Sequence, residues 1–226
     1  MIELHAFESP QAQCEALAQA VRAALAAPLA EHPRATLAVS GGTSPRPFLQ
    51  TLSTAELDWA RVDVSLVDDR WVADTDGASN AQLVHDTLLQ NAAAGARFLP
   101  LVDTSATLEA QVAALNANPA YRLPNVAVLG MGEDGHTASI FADAPEWELA
   151  ISTTARYVAV HPGAAPHPRV SLSLDALRRV ERLLLLIAGA RKREVLEAAA
   201  AAPQRNAISQ LANDKGTQLD VYWCAN

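Results

Sequence analysis

Cysteines and long apolar runs are scarce in this sequence, and each shortage excludes a class of protein. Only two cysteines, Cys14 and Cys224, occur among 226 residues, near opposite ends and without C-x-x-C or metal-ligand spacing. Two reduced thiols and no metal site are therefore expected, although this spacing also permits a single disulfide. The longest strongly apolar run, residues 183–190, is far shorter than the ~20 residues that a membrane-spanning helix needs.

Positive charge is also in short supply. The chain has 17 lysines and arginines against 25 aspartates and glutamates, which gives a formal net charge of −8. Such a chain has no general attraction for nucleic acid or for an anionic membrane, so neither is expected as a partner. Residues 1–20 contain early acids and no basic segment before an apolar core, which predicts no secretory signal. We therefore expect a cytoplasmic protein, with an oligomeric state that the sequence does not indicate.

What the sequence does contain is an alternation of short apolar runs with longer alanine-rich stretches. With 50% hydrophobic residues, the chain can form one α/β domain, residues 1–226, around a substantial core. Predicted strands cover residues 36–40, 62–67, 125–129, 157–160, 183–188 and 218–223; predicted helices cover residues 10–27, 44–52, 78–91, 104–117, 189–202 and 205–212. Strands that are almost wholly apolar imply a mostly parallel sheet with helices on both faces. Ligands of such sheets bind beyond the carboxyl ends of the strands, so the segments after the strands are the candidate sites.

The segment after the first predicted strand, AVSGGTSPRPF at residues 38–48, combines glycines with hydroxyl side chains at the start of a predicted helix. Glycines let the backbone approach a ligand closely, and free N–H groups at a helix start attract anions. The segment therefore predicts a phosphate-binding turn formed by Ser40, Gly41, Gly42, Thr43 and Ser44. An ordinary turn with a serine or threonine N-cap fits the same residues, and the G-K-[ST] element of a P-loop is missing.

The next predicted strand runs into LVDDRWV, residues 66–72, where two carboxylates and an arginine follow apolar residues. Such charges are costly to bury, so we expect them to be exposed at the mouth of the sheet. There Arg70 would bind an anionic group, and Asp68 or Asp69 would orient it or accept a proton. Asn80, which follows a predicted N-cap at Ser79, would face the same mouth. A local surface ion pair explains the three charges equally well.

The most informative segment is VLGMGEDGHTASIF, residues 128–141, which contains a formal G-x-G-x-x-G at Gly130, Gly132 and Gly135. A dinucleotide-binding loop is disfavoured by charge, because Glu133 and Asp134 would lie beside the pyrophosphate. It is also disfavoured by position, because that fingerprint belongs to the first strand–helix unit and is followed about 20 residues later by an acidic strand end. No dinucleotide cofactor is therefore expected.

The same segment suits acid–base chemistry. His136 has the side chain best adapted to proton transfer near neutral pH, and Asp134 would orient it or raise its basicity. Glycines on both sides would hold the pair at a turn from strand to helix. The alternative is structural, with Asp134 as a helix N-cap and His136 as a surface residue.

Two cations occupy further candidate positions. Arg169 opens an extended segment within HPRVSLSL, residues 167–174, and Lys192 lies in the first turn of the predicted helix after Gly189. A cation at a helix N-terminus opposes the helix dipole, an arrangement that an adjacent anion would relieve. The alternative is a solvated basic surface formed by residues 191–193.

Taken together, these segments resemble the 6-phosphogluconolactonase family, in the family's order and over most of the chain. The matching segments are SGGTSP at 40–45, DDR at 68–70, SN at 79–80, GMGEDGHTASIF at 130–141, HPRVSLSL at 167–174 and GARK at 189–192. The pattern GxGxDGHTAS is specific, whereas the glycine pair and the lysine are weak singly. Where this chain has Asp68, Asp69 and Arg70 the family usually has D-E-R, a modest departure.

The resemblance implies a Rossmann-like, sugar-phosphate isomerase type of α/β fold, no metal and no organic cofactor. It also implies a phosphorylated sugar lactone as substrate, with hydrolysis of 6-phospho-D-glucono-1,5-lactone to 6-phosphogluconate. A δ-lactone is an activated ester, so a positioned water and one base suffice. His136 would deprotonate the water and Asp134 would orient His136. The resemblance also implies which residues bind the substrate. The turn at residues 40–44, Arg169 and Lys192 would bind its phosphate. The rest of the substrate would be bound by Asp68, Arg70, Asn80, Gly132 and Gly135.

Two other functions fit part of the pattern. Glucosamine-6-phosphate deaminases look similar around D-G-H, but they continue with an apolar-Phe-Asn-Glu-Pro run whose glutamate serves ring opening. Here His136 is followed by TASIFADAP, with no acid before Asp143. A sugar-phosphate-sensing domain of a transcriptional regulator can share such a fold, but no basic helix-turn-helix pattern precedes residue 36. We therefore expect a lactonase.

Overall fold

The structure, a computed structural model, describes residues 1–225. Its strands are β1 Ile2–Phe7, β2 Ala35–Val39, β3 Val62–Leu66, β4 Asp68–Arg70, β5 Arg97–Phe98, β6 Val126–Leu129, β7 Tyr157–Val160, β8 Arg169–Leu172, β9 Arg182–Ala188 and β10 Leu219–Cys224. Its helices are α1 Pro10–Glu31, α2 Arg46–Ser53, α3 Asn80–Thr87, α4 Leu108–Ala117, α5 Trp147–Ser152, α6 Leu174–Arg178, α7 Ala190–Ala201 and α8 Ala207–Ala212.

Seven strands form a central sheet in the order β1-β10-β9-β6-β2-β3-β5, and every neighbouring pair is parallel. All residues of β2, β3 and β6 are buried, which is typical of a sheet that is covered on both faces. The predicted α/β class with a mostly parallel sheet is therefore confirmed.

A second, antiparallel sheet of three strands in the order β4-β8-β7 lies beyond the carboxyl ends of the central strands. The chain passes from one sheet to the other at Val67. The N–H of this residue donates to the carbonyl of Val39 at the end of β2, and its carbonyl accepts from the N–H of Leu172 in β8. This junction brings the charged residues of β4 and β8 to the edge where the central strands end.

Helix α1 is tied to the sheet by packing and by one buried polar side chain. The Gln13 amide donates to the carbonyls of Ile187 and Tyr222, at 2.8 Å each, and so bridges β9 and β10. These bonds satisfy an amide that would otherwise be costly to bury. The apolar positions of the same helix recur every three or four residues; the buried ones are Cys14, Leu17, Ala18, Val21, Leu25 and Leu29.

The structure differs from the sequence-based expectation in three respects. Strands β1, β4 and β5 were not expected, because β1 has exposed positions along its length, β4 is charged and β5 has only two residues, whereas β8 is the extended segment expected to open at Arg169. The short helices α5 and α6 were not expected either. The helix expected directly after His136 is absent. Residues 137–146 instead form turns with an isolated bridge between Thr137 and Ile140, and the next helix begins at Trp147.

One apolar core extends from α1 to β10 and includes residues of both sheets. Cys14 and Cys224 are free and buried. Among residues 1–225, no helix combines the length and the apolar character that crossing a membrane requires.

Candidate active site

A cavity of about 280 Å³ lies where β2, β6 and β9 end. The loops after these strands form part of its wall, and residues of β4 and β8 close one side. Among the residues predicted for the site, those that line the cavity are Ser40, Gly41, Gly42, Thr43, Ser44, Asp68, Arg70, Asn80, Gly132, His136, Arg169 and Lys192. The fold thus brings together residues from separate segments of the chain, as expected for the carboxyl edge of a parallel sheet.

His136 and Asp134 form a hydrogen-bonded pair. Nδ1 of His136 lies 2.6 Å from Oδ1 of Asp134, and the backbone N–H of His136 donates to the same oxygen at 3.2 Å. The hydrogen bond with His136 holds the pKa of Asp134 below its usual value, against the opposing effect of burial. Because Nδ1 is occupied, Nε2 is the ring nitrogen that remains available for a proton from water.

Asp134 itself does not line the cavity, and its side chain is 58% exposed while that of His136 is 29% exposed. The carboxylate therefore meets the imidazole outside the cavity lining.

Glycines shape the loop that holds this pair. A Cβ on Gly132 would overlap the imidazole of His136 and the carboxylate of Asp134. Gly135 has a φ of +79°, and a Cβ there would lie 2.6 Å from Cγ of Asn206. Gly135 does not line the cavity, which differs from its expected contact with substrate; its role is to let the loop turn against α8.

Phe141, which the sequence analysis did not single out, supports the histidine from one side. Its ring stacks on the imidazole of His136 with centroids 4.1 Å apart, and the guanidinium of Arg169 lies 5.3 Å from its centroid. Phe141 is almost fully buried. The available signal was its place in the specific segment TASIF, where an aromatic residue follows the histidine at short range.

Asp68 is buried, contrary to the expectation that it is exposed at the mouth of the sheet. Its Oδ2 accepts the hydroxyl hydrogen of Ser139 at 2.5 Å and lies 3.9 Å from Nη1 of Arg169. Burial lowers the pKa of Arg169, and the charge of Asp68 opposes that shift. Nε of Arg169 has no hydrogen-bond partner among the described residues, although it is buried. A buried cation with a free donor beside a cavity is suited to an anion.

The other acid of this strand, Asp69, has a structural role instead of the expected one at the mouth. Its carboxylate accepts the backbone N–H groups of Asn80 at 2.7 Å, Ala81 at 3.2 Å and Arg70 at 2.8 Å, which caps the start of α3. Burial raises the pKa of Asp69 to about 6, although these hydrogen bonds act in the opposite direction. Ser79 contributes the predicted N-cap, since its hydroxyl accepts from Ala81.

Arg70, Asn80 and Gly41 line the cavity together. Nη1 of Arg70 donates to Oδ1 of Asn80 at 2.9 Å and to the carbonyl of Ala78 at 2.8 Å. The Asn80 amide donates to the carbonyl of Asp68, which fixes its orientation. A Cβ on Gly41 would overlap this amide, so a glycine is required at that position. The predicted turn is therefore packed against Asn80 as well as open to the cavity.

In the rest of the predicted phosphate turn, Ser40 is buried and its hydroxyl accepts the N–H of Gly130 at 3.0 Å, whereas residues 42–44 are exposed. Gly42 adopts a φ of +95°, and Thr43 and Ser44 precede α2 with side chains open to solvent. Lys192 approaches from the first turn of α7, after Gly189 at a φ of +85°, and makes no ion pair within residues 1–225. The cavity lining thus carries three cations, Arg70, Arg169 and Lys192, and one acid, Asp68, which leaves an excess of two positive charges. That excess occurs on a chain with a net charge of −8, so the positive charge is local to the cavity.

Known proteins resemble this chain in sequence and in structure. The family model for glucosamine-6-phosphate isomerases and 6-phosphogluconolactonase matches residues 8–223. A 6-phosphogluconolactonase of Neisseria meningitidis is 39% identical over 99% of both chains, and one of Rhizobium meliloti is 41% identical over 97% of both. The crystal structure of a 6-phosphogluconolactonase from Shewanella baltica has a TM-score of 0.89 at 36% identity and covers 100% of this chain and 98% of its own.

A monomeric glucosamine-6-phosphate deaminase has a TM-score of 0.78 at 16% identity, covering 97% of this chain and 96% of its own. At that identity the likeness concerns the fold alone. The two sequence relatives at 39% and 41% identity are 6-phosphogluconolactonases, and the residues of the cavity add a further criterion.

Proposed function

Because the chain belongs to the family of glucosamine-6-phosphate isomerases and 6-phosphogluconolactonases, we propose that it is a 6-phosphogluconolactonase. The reaction is hydrolysis of 6-phospho-D-glucono-1,5-lactone to 6-phosphogluconate, a step of the oxidative pentose phosphate pathway, with the cytoplasm as its site. The observation that carries the proposal is the His136–Asp134 pair, 2.6 Å apart, at a cavity with an excess of positive charge. One domain performs both binding and catalysis.

In the proposed mechanism His136 is the general base. Nε2 takes a proton from a water molecule, whose oxygen attacks the carbonyl carbon of the lactone. The bond between that carbon and the ring oxygen then breaks, and the proton on His136 passes to the ring oxygen. Asp134 keeps the imidazole oriented through Nδ1 and stabilises its positive charge between the two transfers.

The phosphate of the substrate is bound by the positively charged side of the cavity. Lys192 supplies a cation without an ion-pair partner among the described residues, and Arg169 supplies an unused donor. The turn at residues 40–44 adds hydroxyl and backbone donors beside them. Arg169 and Lys192 offer two positive charges to a phosphate monoester, which carries nearly two negative charges at neutral pH. Arg70 and Asn80 contact the sugar.

A lactonase is favoured over a deaminase by the residues that come after the histidine. The first acid after His136 is Asp143, and this residue does not line the cavity; its carboxylate lies beside Gly163 in the loop between β7 and β8. No glutamate from this segment therefore reaches a bound sugar.

Two assays separate these activities. The lactone is generated in situ, and acid release is followed above the rate of spontaneous hydrolysis; in parallel, glucosamine 6-phosphate is offered and ammonia release is followed. We expect turnover of the lactone and no ammonia. Ammonia release would identify a deaminase, and tight binding of 6-phosphogluconate without turnover of either substrate would identify a sensing domain.

A further inference from the structure

A second cavity, of about 420 Å³, lies at the opposite edge of the central sheet. Arg34, Asp63 and Arg97 line it at the amino ends of β2, β3 and β5, and Arg122 lines it from the segment before β6. The two cavities share no lining residue. A strand such as β2, with five residues, separates them by roughly 16 Å, so a ligand of one does not contact the other.

The charge of this second cavity is also positive. Its lining contains three arginines and one acid, Asp63, which leaves an excess of two positive charges on a chain whose net charge is −8. Asp63 is buried, and its two oxygens accept from Nε of Arg34 at 2.8 Å, Nε of Arg97 at 2.7 Å and Nη2 of Arg97 at 2.6 Å. One carboxylate thus balances only one of the two guanidinium groups that it holds.

Other arginines already satisfy the helix ends at this edge. Nη2 of Arg61 donates to the carbonyls of Leu29 and His32 at the end of α1, at 2.6 Å each. Nη2 of Arg156 donates to the carbonyl of Asn116 near the end of α4, also at 2.6 Å. The negative ends of these two helices therefore have their own cations, and they do not account for the arginines of the cavity.

Two of those arginines keep unused donors. Arg97 turns its Nε and Nη2 to Asp63, while its Nη1 makes no hydrogen bond with any residue from 1 to 225. Arg122 is exposed and has neither a hydrogen bond nor an ion pair within the same residues. A guanidinium held by a carboxylate along one edge presents its remaining N–H groups in a fixed direction, the geometry that binds oxyanions well.

We propose that this cavity binds the phosphate group of a small metabolite, through Arg97 and Arg122. Asp63, which also binds Arg34, holds Arg97 in place, and the excess of two positive charges matches a dianion. The site is separate from the candidate active site and does not depend on the function proposed for it.

Titration calorimetry with inorganic phosphate, at constant ionic strength, tests the proposal. The proteins are the wild type, Arg122→Ala, and Arg22→Ala, in which another exposed arginine that lines neither cavity is removed. Any binding at the active-site cavity is common to the three proteins, so the differences report the second cavity. We expect Arg122→Ala to weaken one class of phosphate sites by roughly three- to tenfold, and Arg22→Ala to leave it unchanged.

Arg122→Lys keeps the charge and should lie between the wild type and Arg122→Ala. All these positions are exposed, so unchanged thermal unfolding and unchanged lactone hydrolysis are expected for each variant. A wild type that binds phosphate at one class of sites only, or an Arg122→Ala protein that titrates like Arg22→Ala, would overturn the proposal.

Discussion

Replacing Gly132 with alanine tests how closely the catalytic loop is packed around its histidine. The new Cβ would overlap the ring of His136 and the carboxylate of Asp134, so something must move. The overlapping atoms belong to side chains, and that of Asp134 is 58% exposed. The backbone can therefore stay in place while the two side chains are pushed apart. The expected result is a folded protein whose base is no longer oriented.

The size of the effect depends on the contribution of the pair to catalysis. Positioned acid–base catalysis is worth roughly 10²–10⁴-fold in rate, or about 2.7–5.5 kcal/mol of barrier. We expect Gly132→Ala to lower kcat within that range. The KM for the phosphorylated lactone should change little, because Arg169 and Lys192 are untouched. Initial rates of acid release, corrected for spontaneous hydrolysis, measure both parameters.

Gly130→Ala is the matched control, two residues away in the same loop. A Cβ there would have Cβ of Ser40 as its nearest neighbour, at 4.0 Å, which is an ordinary contact. This variant should keep most of the wild-type kcat. A Gly132→Ala protein within about threefold of the wild type would refute the argument, as would equal losses in the two variants.

Three further predictions concern charge. Lys192→Ala, which breaks no ion pair among the described residues, should raise the KM for the phosphorylated lactone about tenfold and leave glucono-δ-lactone unaffected; Arg169→Ala should act in the same direction. Equal effects on the two substrates would argue against a phosphate site. Asp134→Asn and His136→Gln should be non-additive, so a double mutant that loses the product of both single losses would contradict their pairing. Burial alone would raise the pKa of Asp63, but hydrogen bonds and charge from Arg34 and Arg97 lower it overall. The ionised Asp63 therefore stabilises the fold fully above its unfolded pKa. This stabilisation is lost as the pH falls through the lower pKa of the folded state. Asp63→Asn should therefore cost about 2 kcal/mol at pH 7 and progressively less in acid as the wild-type carboxylate becomes protonated, as thermal unfolding over a series of pH values would measure.

The parts of the fold that could be predicted are those with strong local patterns. The run at 36–40 corresponds to β2, Ala35–Val39, because Leu37, Ala38 and Val39 place apolar side chains on both faces of the sheet. The edge strand β1 has no such run, since its outer positions are exposed. The segment after His136 has the composition of a short helix, but Thr137 donates to the carbonyl of Gly130 and Ser139 to the carboxylate of Asp68. These long-range bonds replace the local ones that a helix would need.

The candidate site also has residues that the sequence predicts and residues that it does not. The residues that face the cavity lie in loops with unusual composition, so glycines, charges and a histidine were visible in the sequence. The contacts that hold these residues in place were not visible in the sequence. Asp68, for example, is buried with partners from distant segments, Ser139 and Arg169. Phe141 is a functional neighbour of His136 only because the chain folds back over the imidazole. Such partners depend on tertiary packing, which a local pattern does not encode.

The most direct test of the account is the steady-state hydrolysis of 6-phospho-D-glucono-1,5-lactone by His136→Gln. With His136 as the general base, kcat should fall by roughly 10²–10⁴-fold while KM stays close to the wild-type value. A folded His136→Gln protein that turns over the lactone at a near-normal kcat would contradict the central claim.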